Sequence, residues 1–204
     1  MFVKILKEEG LNQALLGLSL SYNINFPEDL NKDEGDSYNR IKSLSYKLAI
    51  KDGGHNKFLE SVMVWLDIRA PRYWWSQFDT YRTGTTKQSE STMHTLLKFP
   101  LTQASFESPL PAETLDYLEN LRKNKDLTTL KRQLPEGFLQ RRIVCTNYKT
   151  LRNIFRQRKG HKLNEWNIFI FTLLYKLREP DYFRDIMVLE KEDKIAFFRN
   201  NVPE

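Results

Sequence analysis

LPEGFLQRRIVCTNYKTLRNIFRQRKGHKLNE, residues 134–165, is the stretch whose reading settles the fold class. Leu134-Pro135 interrupts the pattern before it, because proline removes a backbone donor and fixes φ. Arg141-Arg142-Ile143-Val144-Cys145-Thr146 reads as a buried strand or a helix edge. Asn147 to Arg158 has the spacing of a helix, and Lys159-Gly160-His161 separates it from a second helix over Lys162 to Lys176.

Outward from there, helical and extended signals mix. Pro109 and Pro111 lead into a helix over Glu113 to Lys125 with Leu115, Leu118 and Leu121 on one face. Val62, Val64, Leu66 and Ile68 alternate with Met63, Trp65, Asp67 and Arg69, the pattern of a strand. Ala70-Pro71 stops it and opens an aromatic helix through Trp74, Trp75 and Phe78. Trp74 and Trp75 suit either an interface between copies or the core. Thr85 to His94 (TTKQSESTMH) is polar, lacks periodicity and reads as a loop. Nearer the start come an alternation at Phe2, Lys4 and Leu6, then a helix through Leu11, Ala14, Leu15 and Leu18. A polar loop over Asn25 to Asn39 follows, then a helix over Ile41 to Ile50 ended by Asp52-Gly53-Gly54. A last apolar run, Ile186 to Phe198, reads as helix. The expected fold class is α+β, helix-rich with a small, mostly antiparallel sheet, in a single domain over residues 1–204.

Composition limits the function. Of 204 residues, 40% are hydrophobic and 13% aromatic, too apolar for a disordered chain. Lys and Arg number 32 against 26 Asp and Glu, a net charge of +6 that suits a nucleotide, a polynucleotide or ordinary solvation. One cysteine, Cys145, forms no internal disulfide and points to a reducing, cytoplasmic location; it reads as a structural thiol. His55, His94 and His161 lie far apart with no paired cysteines, so a metal site is not expected. No apolar run approaches the roughly 20 residues that span a bilayer, and the start of the chain does not read as a signal peptide.

Three constellations carry chemistry. Asn147 and Arg158 are eleven residues apart, about three helical turns, and so share a face. That face suits a planar polar ring, or it is simply a solvated basic helix. Gln77 and Tyr81, four apart, share a face, with Arg82 and the hydroxyls of Thr85, Thr86, Ser89, Ser91 and Thr92 following. Hydroxyls, loop amides and an arginine suit a phosphate, or a surface turn. His55 follows Gly53-Gly54 and is either a ligand contact or a structural histidine.

The order of these residues resembles the flavin-dependent thymidylate synthases. That family has Gly-His, then Glu, a strand and a helix ending in Gln-x-x-Arg-His-Arg; here stand Gly54-His55, Glu60, the alternating strand, Gln77 and Tyr81-Arg82. Leu134-Pro135, Asn147, Leu151, Arg158, His161 and Glu165 follow in the family's order. The resemblance covers about Gly53 to Asn167. It implies that Arg158 polarises a pyrimidine and is the catalytic residue. Gln77, Gln88, Lys131 and Arg158 are implied to hold the nucleotide, and His55, Tyr81, Arg82, Asn147 and His161 to line FAD. Methylenetetrahydrofolate and NADPH are the implied co-substrates and a homotetramer the implied assembly. The activity implied is thymidylate synthase-like methylation of dUMP, a methyltransferase step in nucleotide biosynthesis.

The chain departs from the pattern at four places. Thr80 and Tyr81 replace Arg-His, and Glu90 and Thr92 fall where a serine and an arginine grip the phosphate. A carboxylate repels a phosphate. Two other readings therefore stay open: a diverged enzyme that hydroxymethylates, or acts on another pyrimidine nucleotide, and a non-catalytic protein that binds nucleotide or nucleic acid.

Overall fold

A computed structural model of the chain describes residues 1–26, 35–51 and 53–186. In chain order the main elements are β1 (Phe2–Glu9), α1 (Leu11–Leu20), α2 (Asp36–Ala49), β2 (Met63–Pro71), α3 (Arg72–Phe78), β3 (Thr86–Ser89), α4 (Thr92–Thr95), α5 (Ala112–Lys123), α6 (Leu127–Gln133), β4 (Leu139–Asn147), α7 (Tyr148–Arg158) and α8 (Asn164–Lys176). Single 3-10 turns lie at Lys57–Ser61, Gln103–Ser105 and Pro180–Phe183. The strands form one antiparallel sheet in the order β1-β2-β4-β3. The helix-rich α+β expectation holds.

The chain divides into two compact units. The first comprises Met1–Lys4, Leu66–Arg82 and Thr86–Val144; the second comprises Ile5–Trp65, Thr83–Thr85 and the described chain from Cys145 on. In the first, Leu96, Leu101, Phe106, Leu118, Leu130 and Leu134 form a cluster beneath α5 and α6. Trp74, Trp75 and Phe78 of α3 are fully buried, and Trp75 Nε1 donates to the Gln140 carbonyl of β4 at 2.9 Å. Both tryptophans therefore belong to the core and neither presents an aromatic surface.

In the second unit, α7 buries Tyr148, Leu151, Ile154 and Phe155, and α8 buries Trp166, Phe169 and Leu173. Phe183 meets Phe155 and Tyr148, each at 5.2 Å between ring centroids. The guanidinium of Arg152, 2% exposed, donates to the Tyr182 carbonyl and to Asp185 Oδ2 (2.8 Å), fixing the Pro180–Phe183 turn on α7. A second polar network crosses this unit. Tyr148 Oη donates to buried Glu8 Oε2 at 2.6 Å, and Glu8 also accepts from the Arg178 N–H at 3.2 Å. Glu179 accepts from Lys42 and from Tyr46 Oη, both at 2.7 Å. Burial and the neighbouring carboxylates push the phenols of Tyr46 and Tyr148 far above their ordinary range, so both act as hydrogen-bond donors.

Several expectations are corrected. Thr85 to His94 is not a loop: Thr86–Ser89 pairs with β4 as an edge strand, and Thr92–Thr95 is a helical turn. Asp36 to Asn39 belong to α2 rather than to the preceding loop, whose residues 27–34 lie outside the described residues. Leu127–Gln133 forms a helix that apolar spacing did not announce. The run Ile186 to Phe198 lies outside the described residues beyond Ile186. Among the described residues no helix is long and apolar enough to cross a membrane.

Candidate functional site

In the second unit, three of the residues expected to form the site, Asn147, Arg158 and His161, lie at the two ends of α7. At the N-terminal end Asn147 is the cap: its Oδ1 accepts from the Thr150 N–H at 2.9 Å, and the side chain is 7% exposed. The Thr83–Thr85 turn lies against it. Thr146 Oγ1 donates to the Gly84 carbonyl at 3.0 Å, and Thr150 Oγ1 to the Thr83 carbonyl at 3.4 Å. Gly84 has φ +68°, and a Cβ there would lie 2.4 Å from Thr150 Oγ1 and 2.9 Å from Asn147 Nδ2. Only glycine satisfies both the dihedral and the space.

At the C-terminal end Arg158 lies with its guanidinium 4.6 Å from the centroid of the Trp166 ring, a cation–π contact that fixes its direction. His161 is bonded into the same corner. Its N–H donates to the Arg158 carbonyl at 3.1 Å, and its Nδ1 accepts from the Leu163 N–H at 3.1 Å. An Nδ1 that accepts is unprotonated, so Nε2 carries the proton of the neutral ring and is left to donate outward. The structure thus brings together Arg158, His161 and Trp166. Asn147 stands apart from them at the other end of α7, roughly 16 Å away by helical rise. One pyrimidine ring does not reach both.

His55 is exposed and lines a 360 Å³ pocket with Ser21, Gly17, Lys57, Glu60 and Ser61. Glu60 pairs with Lys149 of α7 at 2.5 Å. Lys57 and Ser21 were not among the residues expected to form the site. They reach the pocket from the 3-10 turn and from the end of α1, and no local sequence signal joins those segments.

The first unit holds the other expected residues. Gln77 is half-buried near the end of α3, Arg82 is exposed, Gln88 is exposed on β3, and Lys131 is half-buried on α6. Gln77 and Tyr81 do not share a helical face, because α3 stops at Phe78. Tyr81 lies beyond a turn, its N–H on the Phe78 carbonyl at 3.0 Å and its ring buried against Phe78. Beside them Asp79 accepts from Arg142 at 2.9 Å and pairs with Lys87 at 2.9 Å. Burial alone would raise this carboxyl; the two cations outweigh it and hold it below the usual range. Arg142 also lies 4.4 Å from the Trp75 ring centroid. Among the described residues no group of three or more His, Cys, Asp or Glu side chains is placed to hold a metal ion.

No family model matches the sequence, and no curated protein matches it. Solved structures do. A Helicobacter pylori flavin-dependent thymidylate synthase complexed with FAD and dUMP superposes with TM-score 0.71 at 19% identity, covering 91% of this chain and 99% of that one. A second structure of thymidylate synthase X from Helicobacter pylori, also with FAD and dUMP, gives 0.72 at 19% identity, covering 93% and 100%. A UMP/dUMP methylase, PolB from Streptomyces cacaoi, bound with 5-Br dUMP, gives 0.63 at 12% identity over 91% and 93%. The correspondence runs nearly end to end on both sides: the chain has the fold of the flavin-dependent thymidylate synthases.

Proposed function

We propose that this chain is a flavin- and folate-dependent enzyme that transfers a one-carbon unit to C5 of a pyrimidine deoxynucleotide, converting dUMP to dTMP. The reading is carried by the end-to-end likeness in fold to two enzymes whose structures hold FAD and dUMP. In this proposal the enzyme is a cytoplasmic homotetramer, and NADPH is the reductant.

The residues present suit FAD. His161 offers an Nε2–H donor whose tautomer is set by Leu163. His55 and Lys57 line a concavity of 360 Å³. The Thr83–Thr85 turn lies on the N-terminus of α7, where backbone N–H groups and the helix dipole favour an anionic group. Asn147 and Arg82 complete the set, while the Tyr81 ring, buried against Phe78, anchors the segment that carries Arg82. Bound and reduced FAD supplies the hydride that completes the methyl group. The protein's own part is positional and electrostatic. Gln77, Gln88 and Lys131 hold the nucleotide. Arg158, oriented by Trp166, stabilises the negative charge that builds on the pyrimidine as C5 gains the carbon and gives up its proton. Cys145 is not used: burial pushes its thiol above the ordinary range, which leaves it a poor nucleophile at neutral pH.

A second reading rests on Glu90, exposed at the end of β3 where the resemblance calls for a phosphate-gripping serine. Here the substrate is a different pyrimidine nucleotide, or the transfer stops at hydroxymethyl. The test is direct. The purified protein is incubated with FAD, NADPH, methylenetetrahydrofolate and either dUMP or UMP, and the products are weighed by mass spectrometry. A flavin-loaded protein that yields methylated dUMP supports the first reading. A hydroxymethylated or ribonucleotide product selects the second. A protein that takes up no flavin and forms no product, yet binds polynucleotide, overturns both.

A further inference from the structure

Within the first unit the sheet has two unlike faces. Side chains alternate along a strand. On β4, Arg142 turns towards α3, so Arg141 turns the other way. On β2, Leu66, Ile68 and Ala70 are fully buried, whereas Asp67 and Arg69 lie on the opposite side. There a cleft of 780 Å³ opens, within the roughly 300–1,000 Å³ of small-molecule sites. Its floor carries Lys4, Asp67, Arg69 and Arg141. Phe2 and Phe99, respectively 53% and 66% exposed, also line it. Glu90 lies at its far border, on the strand order's β3 side. None of the nine residues expected to hold nucleotide or flavin lines it.

Two of the cations in this cleft are already aimed. Asp67, 6% exposed, accepts both Arg141 Nε (2.8 Å) and Arg141 Nη2 (2.6 Å). A buried carboxylate thus spends its charge holding an exposed guanidinium in one orientation, with Nη1 left to donate. Arg69 is tied by Nη2 to the Ala104 carbonyl at 3.1 Å, leaving its other donors. Lys4 has no ion pair among the described residues. With Asp67 neutralised by Arg141, Lys4 and Arg69 are offset by one carboxylate of the lining, Glu90, which lies beside Arg141 on the β3 side, its N–H on the Arg141 carbonyl at 2.9 Å. Donors held in place before binding lose little conformational freedom on binding. The exposed rings beside them give an apolar body somewhere to lie.

We propose that this cleft is a second ligand site, for a small organic anion whose carboxylate or phosphate meets Arg69, Lys4 and the free edge of Arg141 and whose planar ring packs on Phe2 and Phe99. The inference stands independently of the reaction proposed above. The probes are benzoate, phenyl phosphate, inorganic phosphate and benzyl alcohol, titrated into the full chain by calorimetry and by ligand-observed NMR. Saturable binding is expected for benzoate or phenyl phosphate, and the tighter of the two identifies the head group. Inorganic phosphate and benzyl alcohol, each lacking one half of the recognition, should bind at least about tenfold more weakly. Arg69→Gln and Lys4→Gln alter exposed side chains and should keep the fold by circular dichroism. Each should weaken the ring-bearing anion by about tenfold, the worth of one charge-assisted hydrogen bond. The proposal is overturned if neither ring-bearing anion binds saturably to the unaltered protein. It is equally overturned if the Lys4→Gln/Arg69→Gln pair leaves binding unchanged, if inorganic phosphate binds as tightly as phenyl phosphate, or if dUMP displaces the probe.

Discussion

Arg158 and Glu119 show two ways in which a single charge is put to use. Arg158 is oriented by the Trp166 ring, and its proposed task lies in the transition state. Arg158→Ala should lower kcat by about a hundredfold or more, the usual effect of removing one preorganised charge. Helix content by circular dichroism should be unchanged, and Arg158→Lys should restore part of the rate. Full activity in Arg158→Ala would refute the role. Glu119 is structural. Hydrogen bonds from Arg122 (2.7 and 2.6 Å), against the opposing effect of burial, lower its carboxyl from the ordinary 4.5 to about 2. The folded state therefore holds this carboxylate ionised at pH values where the unfolded chain binds a proton. Its contribution is fully present above about pH 4.5 and is lost as pH falls towards 2. Urea unfolding across that window should show a smaller fall in stability for Glu119→Gln than for the unaltered chain. Parallel falls would show that the ion pair contributes nothing.

At the scale of elements, the Thr83–Thr85 turn and α7 fit each other through one glycine. Gly84→Ala adds a Cβ 2.4 Å from Thr150 Oγ1 at a left-handed φ, and should cost on the order of 1–3 kcal/mol. Thermal unfolding measures it, and a neutral result would mean that the turn moves away freely. Asn147→Ala removes the cap bond to the Thr150 N–H and should cost about 1 kcal/mol. The elements also show what the sequence made legible. β2 was visible because one face is apolar and fully buried while the other carries polar residues, so Leu66 and Ile68 alternate with Asp67 and Arg69. β3 was invisible: a polar edge strand of four residues, TKQS, buries no side chain and leaves no periodic trace. α6 was missed because seven residues offer too few turns for a repeat, with Leu130 its only buried position. At the site, Arg158 was legible through its helical spacing from Asn147, and His161 through the resemblance alone. Lys57 and Ser21 were not, because their shared pocket is closed by segments far apart in sequence.

At the scale of the whole molecule, a net charge of +6 coexists with arginines that are committed to ion pairs within the fold. Arg122, Arg141, Arg142 and Arg152 each meet a carboxylate. Arg82 and Lys131 are assigned to the proposed nucleotide and flavin site, and Lys4 and Arg69 to the cleft. A polynucleotide track needs a contiguous stripe of unpaired cations. Binding to single-stranded DNA should accordingly be weak at physiological salt, as fluorescence anisotropy would reveal; tight binding with a steep salt dependence would contradict this. Native mass spectrometry should give four times the chain mass for the proposed tetramer, and a monomer would leave the proposed assembly wrong.

The two borders of the sheet also differ in colloidal behaviour. β3 closes one side with four polar residues including a lysine, too short to template another strand. β1 closes the other with eight residues, among them Phe2 at 53% and Leu6 at 47% exposure. Unpaired backbone groups beside exposed apolar side chains are where strands of separate molecules join. Aggregation on storage or heating should therefore start at β1, so the shelf life of concentrated protein is governed by Phe2 and Leu6 more than by the stability of its core.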